Sequence, residues 1–97
     1  MVEAKGFSVN IVCSKLYETQ LKEILLKMAA EDVAAAKNFK IYLDTIMINI
    51  PTKSKKYKQS IFFDDENIKD VEHQGFRIPF MIDKESDTYI ILAIIEK

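Results

Sequence analysis

Residues Gly75 to Ile95 read GFRIPFMIDKESDTYIILAII, and this stretch decides the fold. Two apolar runs, Phe76–Ile82 and Thr88–Ile95, flank a polar segment of Asp83, Lys84, Glu85, Ser86 and Asp87. β-Branched and aromatic residues on both sides of turn formers predict an antiparallel hairpin. The second run, YIILAII, is apolar at successive positions, which predicts a central strand covered on both faces. Pro79 lies inside the first run. With no N–H to donate, it predicts a bulge there or an unpaired N–H side. The same run holds Arg77, the only arginine of the chain. A charge at the start of a buried strand either pairs with a neighbour or faces a site.

Working upstream, Ile68–Glu72 predicts a further strand, joined to the hairpin through His73, Gln74 and Gly75. Glycine at the end of so short a loop is where a positive φ is usually required. Ile61–Phe63 is a short apolar run, either strand or loop anchor, followed by Asp64, Asp65 and Glu66. Before it comes PTKSKKYKQ, in which Lys53, Lys55, Lys56 and Lys58 surround Tyr57 without an acid. Leu16–Ala30 predicts a helix, with Leu21, Ile24, Leu25 and Met28 on one face and Glu18, Lys22, Glu23 and Lys27 on the other. Asp32 is a candidate cap for a second helix from Val33 to about Asn49, unless the two form one kinked helix. Its apolar stripe is Phe39, Tyr42, Leu43, Ile46, Met47 and Ile50, and Pro51 is expected to end it. Phe7–Ser14 alternates as a half-buried first strand, with Ser14 as the cap of the helix that follows. The order is β-α-α-β-β-β: a helical hairpin packed on one face of a mostly antiparallel sheet, with an N-terminal strand and a three-strand meander. The fold class is α+β.

Ninety-seven residues, 48% hydrophobic and 30% charged, suit a single domain spanning 1–97. The net charge of −1 gives no global case for binding nucleic acid or a membrane surface. Charge is nonetheless uneven: residues 51–60 carry four lysines and no acid, whereas 61–97 carry nine acidic against four basic groups. The single cysteine, Cys13, excludes an internal disulfide and a cysteine-based metal cluster, and on an apolar strand face it reads as core. Three consecutive acids at Asp64–Glu66 do not share a face, so neither metal nor cofactor is expected. The N-terminus lacks a signal-peptide core, and no apolar run approaches the ~20 residues of a membrane span. The expected compartment is the cytoplasm.

The element order, the step Gly75-Phe76-Arg77-Ile78, the turn at Ile82-Asp83 and the apolar last strand together resemble the RelE/ParE superfamily of bacterial toxins. The resemblance covers nearly the whole chain in element order, and its specific part is Gly75–Lys97. It implies the toxin half of a type II toxin–antitoxin pair, silenced by an antitoxin segment that covers the sheet and groove. RelE-like members cut mRNA in the ribosomal A site with basic side chains, whereas ParE-like members poison DNA gyrase. On that likeness Arg77 matches the arginine near the scissile phosphate, and Lys97 a second basic residue after the last strand. The strand before the step reads IKDVEHQ, with Asp70 and Glu72 where RelE-like enzymes carry cations. That departure, with the acidic pI near 5.8, favours a ParE-like or other non-nuclease toxin. The alternatives are a ribosome-dependent mRNA endonuclease and a non-toxic interaction module on the same fold.

Each candidate side chain has two readings. Arg77 either pairs with Asp70 or Glu72 across the strands or binds phosphate in bidentate fashion. Lys53, Lys55, Lys56 and Lys58 form either a solvated loop or a phosphate-contacting patch with Tyr57 as a stacking platform. His73 is either a turn residue or an acid–base group. An exposed sheet edge would recruit an antitoxin or a second copy of the chain.

Overall fold

The computed structural model describes residues 10–96. Its elements are β1 (Asn10–Cys13), α1 (Lys15–Glu31), α2 (Val33–Lys53), a 3-10 turn (Ser54–Lys56), β2 (Ile68–His73), β3 (Phe76–Asp83), β4 (Thr88–Ile91) and β5 (Ile95–Glu96). The sheet order is β1-β4-β3-β2, with β5 pairing β3 beyond the end of β4. β1 runs parallel to β4, and the other pairings are antiparallel. The expected start of β1 at Phe7 lies outside the described residues.

The helical hairpin turns on one residue. The Asp32 backbone is extended, its N–H donates to Met28 O at 2.8 Å, and its carboxylate accepts the Ala35 N–H at 3.2 Å. A single residue therefore ends α1 and opens α2, and the two helices are distinct. Ser14 opens α1 in the same way, accepting the Tyr17 N–H at 3.0 Å. It also donates its hydroxyl to Leu92 O at 2.7 Å and its own N–H to Ile91 O at 2.9 Å. The helix start is thus tied to the end of β4.

Tyr17 and Leu21 of α1 and Phe39, Leu43, Met47 and Ile50 of α2 meet Val71, Phe76, Ile78, Phe80 and Ile91 of the sheet in one core. Each such side chain contributes about 1.5–3 kcal/mol by leaving water. Residues paired directly across antiparallel strands share a face. The register Val71↔Ile78 and Phe80↔Ile91 therefore puts these residues on the helix side, and Glu72↔Arg77 and Asp70↔Pro79 on the outer side. The β2–β3 turn is the expected tight one, with φ 46° at Gln74 and 87° at Gly75.

Four expectations are corrected. The last apolar run is not one strand, because Leu92–Ile94 leave the ladder opposite Pro79. Pro79 has no N–H to offer there. Its carbonyl takes the Leu92 N–H at 2.9 Å, and the Ile94 N–H turns instead to Gln20 Oε1 at 2.9 Å. Ile90 is only half-buried, since it faces away from the helices, and Tyr89 is half-buried at the margin of the core on the helix side.

Pro51 does not end α2, which continues to Lys53. It sits in the last turn, so its missing N–H costs α2 only the bond to the Met47 carbonyl, four residues earlier. Side chains assist there: Asn49 donates to Thr45 O at 2.9 Å and Thr52 to Asn49 O at 3.0 Å. Cys13 is exposed rather than core, because β1 is an edge strand and Cys13 lines the open groove beside the helices. Tyr42 is exposed too, being turned off the side of α2 that carries Phe39 and Leu43.

Candidate functional site

Arg77 lies on the outer face of the sheet, between two carboxylates. Its Nη1 is 3.1 Å from Asp70 Oδ2 and its Nη2 is 2.9 Å from Glu72 Oε2. The Asp70 side chain is 2% exposed, that of Arg77 23%. Asp70 Oδ2 also accepts the Ile61 N–H at 3.0 Å, while Oδ1 has no hydrogen-bond partner. A buried carboxylate is costly unless paired, so the guanidinium neutralises it where it sits. Both cross-strand partners named from the sequence are engaged at once.

His73 is not brought to Arg77. It ends β2 on the helix side, half-buried, its ring 5.1 Å from that of Phe39. Nε2 is buried without a partner, and burial pushes the imidazole pKa below its usual value. Lys97, the second expected cation, lies outside the described residues.

The lysine segment is split by the structure. Lys53 ends α2, Lys55 and Lys56 sit in the 3-10 turn, and Lys58 lies beside β2; all four are exposed. The Lys58 carbonyl accepts the Asp70 N–H at 3.2 Å, so residues 58–60 cover the outer edge of β2. Tyr57 is no free stacking platform. Its ring stands edge-on to Phe80, centroids 5.7 Å apart, as part of the core margin. The Ile61–Phe63 run is neither a strand nor an anchor, because all three side chains point outward.

A second concavity lies elsewhere. A groove of about 1040 Å³ runs along the helical hairpin from β1, lined by Ile11 and Cys13, by Leu21, Leu25 and Leu26 of α1, and by Val33, Ile41, Met47 and Ile48 of α2. Its charged lining groups are Glu18, Lys22, Lys37, Lys40 and Asp44, of which Lys40 and Asp44 pair at 2.6 Å. α2 therefore carries two apolar stripes. One feeds the core, and the other, through Ile41 and Ile48, is left to solvent. A helix apolar on more than one face calls for a further covering surface. Sequence reasoning missed these two residues; their seven-residue spacing beside the core stripe was the available signal.

The Cys13 thiol at the groove wall has its pKa raised, chiefly by burial, with Glu18 and Asp44 adding and Lys40 opposing. Burial likewise holds the Tyr17 phenol well above its ordinary value. Among the described residues no group of three His, Cys, Asp or Glu side chains converges as metal ligands would, and no helix is long and apolar enough to cross a membrane.

Comparison with solved structures finds the same fold in bacterial toxins. The chromosomal ParDE toxin–antitoxin system from P. aeruginosa superposes with a TM-score of 0.71 at 11% identity, covering 91% of this chain and 95% of that one. A metal-bound toxin from Helicobacter pylori gives 0.62 at 19% identity, covering 92% and 94%. The intact RelBE toxin–antitoxin complex of E. coli gives 0.61 at 6% identity, covering 93% and 98%. A search of curated protein sequences returned no match. The model of the family described as "ParE toxin of type II toxin-antitoxin system, parDE" matches residues 11–97. The chain therefore belongs to the ParE toxin family and is the toxin half of a type II toxin–antitoxin pair.

Proposed function

We propose that this toxin halts growth in the cytoplasm by engaging a protein, DNA gyrase, and not by cutting mRNA. The observation that carries this reading is the engagement of Arg77 by Asp70 and Glu72. A phosphate approaching that guanidinium would meet two carboxylates and would have to displace at least one of them. Like charges at such range repel by several kcal/mol in a partly desolvated site, on the order of 4 kcal/mol at 4 Å with an effective dielectric of 20. The near-neutral net charge of −1 also supports a protein target over ribosome-bound RNA.

The silencing partner in this reading is a cognate antitoxin, laying an amphipathic helix in the groove along α1 and α2. The groove supplies exposed Leu26, Val33, Ile41 and Ile48 as the apolar floor. Lys22 and Lys37 on its lining favour an acidic polar face on that helix.

Induced expression of the chain, alone and with the adjacent open reading frame, tests both parts. The expected result is arrest that the neighbour relieves, with thymidine incorporation failing before methionine incorporation. Methionine incorporation failing first, with mRNA cut in the A site, would overturn the gyrase reading in favour of the endonuclease.

A further inference from the structure

Residues Ser60 to Ile68 form a closed loop whose ends meet through the Ser60 N–H and Ile68 O at 2.8 Å. Its first half exposes Ile61 by 68%, Phe62 by 42% and Phe63 by 41%. Three consecutive large apolar side chains facing water are unusual for a loop.

The loop is also firmly held. The Ile61 N–H donates to buried Asp70 Oδ2 at 3.0 Å, and the Phe62 N–H to Ser60 Oγ at 3.1 Å. The Asn67 N–H donates to Asp65 Oδ1 at 2.8 Å, and the Ile68 N–H to Asp65 O at 3.0 Å. Asp70 is in turn fixed by Arg77. The backbone is therefore set before any partner arrives, which removes part of the ordering cost of binding.

We propose that the Ile61–Phe63 loop is the surface by which the toxin grips its protein target, an apolar pocket rimmed by basic groups on that target. The inference rests on the reading that the target is a protein. Charge selects the occupant: Asp64, Asp65 and Glu66 follow the apolar residues directly and are exposed. They repel a phosphate backbone and attract a basic rim. The loop stands beside β2, whereas the antitoxin groove borders β1 at the other end of the sheet order. Target grip and antitoxin binding therefore use separate surfaces.

The test is the double variant Phe62→Ser/Phe63→Ser, with Ile61→Lys as a second variant should the first fold poorly. Both are compared with wild type for growth arrest, for inhibition of supercoiling by purified DNA gyrase, and for binding of the antitoxin. The expected result is a loss of about tenfold or more in toxic potency and in gyrase inhibition, with antitoxin affinity and thermal stability unchanged. Wild-type potency in a folded variant would overturn the loop assignment while leaving gyrase as target. Should wild type arrest growth without inhibiting gyrase, the gyrase reading fails alone. The loop then stands if the variants no longer arrest growth and falls if they do. A wild-type chain that neither arrests growth nor inhibits gyrase would overturn both.

Discussion

The guanidinium of Arg77 reaches across the β2–β3 pair to Asp70, Nη1 to Oδ2 at 3.1 Å, on the sheet face away from the helices. The same carboxylate oxygen holds the Ile61 N–H. Arg77 is thus two contacts from the exposed loop and is already neutralised. In this toxin the arginine of the Gly-Phe-Arg step organises the molecule locally.

That chain of contacts has a measurable energy. Asp70→Ala and Arg77→Met should each destabilise by about 1.5–3 kcal/mol, the usual worth of a hydrogen bond to a charged group. The double variant should cost clearly less than the sum, since both single changes break the same contact and Arg77→Met strands buried Asp70, whereas Asp70→Ala leaves Arg77 with Glu72. Urea unfolding of the three variants checks this. Strict additivity would show that the pair is not coupled.

Ser14 carries two duties, capping α1 and holding the Leu92 carbonyl where the last apolar run leaves the ladder. Ser14→Ala should cost about 1–2 kcal/mol for the cap. Amide exchange should also quicken at the β1–β4 pairing, which a lost cap alone would not produce. Exchange rates measured residue by residue separate the two effects.

Burial lowers the pKa of His73, so the folded protein holds the imidazole neutral to a lower pH than the unfolded chain does. The unfolded state then binds more protons just below the ordinary histidine pKa of about 6.5. The stability linked to His73 is therefore present above that pH and is lost as pH falls through 6.5 toward the lowered value. His73→Phe, which keeps a ring against Phe39, should flatten this part of the stability–pH curve. A curve parallel to wild type across that window would show that the imidazole does not titrate differently on folding.

Cys13 is exposed at the groove wall, yet its thiol is held above the ordinary pKa. Iodoacetamide should therefore label it more slowly at pH 8 than it labels free cysteine, because less thiolate is present. Bound antitoxin should suppress labelling further by covering the groove. Equal labelling rates with and without antitoxin would place the antitoxin helix elsewhere.

Local signals explain which parts of the fold were legible. Ser14 and Asp32 cap where their side chains can reach the next helical N–H groups, and Gly75 marks the turn that needs a positive φ. Pro79 announced an interruption of the ladder, and the opposite strand supplies it at Leu92–Ile94. What stayed hidden depends on neighbours distant in sequence. Whether Cys13 is covered depends on how far α1 and α2 extend over β1, and whether Tyr57 is free depends on Phe80. Arg77 shows the same limit from another side. Both carboxylate partners were nameable from the strand pattern, but two simultaneous contacts required the register Glu72↔Arg77 and the burial of Asp70. Pro51 misled because a proline in a last helical turn disturbs few bonds, so α2 ran on to Lys53.

The proposed action of this ParE-family toxin on gyrase, and not as a ribosome-dependent nuclease, can be tested in one experiment. The most direct measurement places purified toxin, freed of antitoxin, in two parallel reactions: DNA gyrase with relaxed plasmid, and ribosomes programmed with mRNA. Loss of supercoiling with intact mRNA is the predicted result. Cleavage of mRNA in the A site by wild type, abolished in Arg77→Lys and accompanied by undisturbed supercoiling, would contradict it.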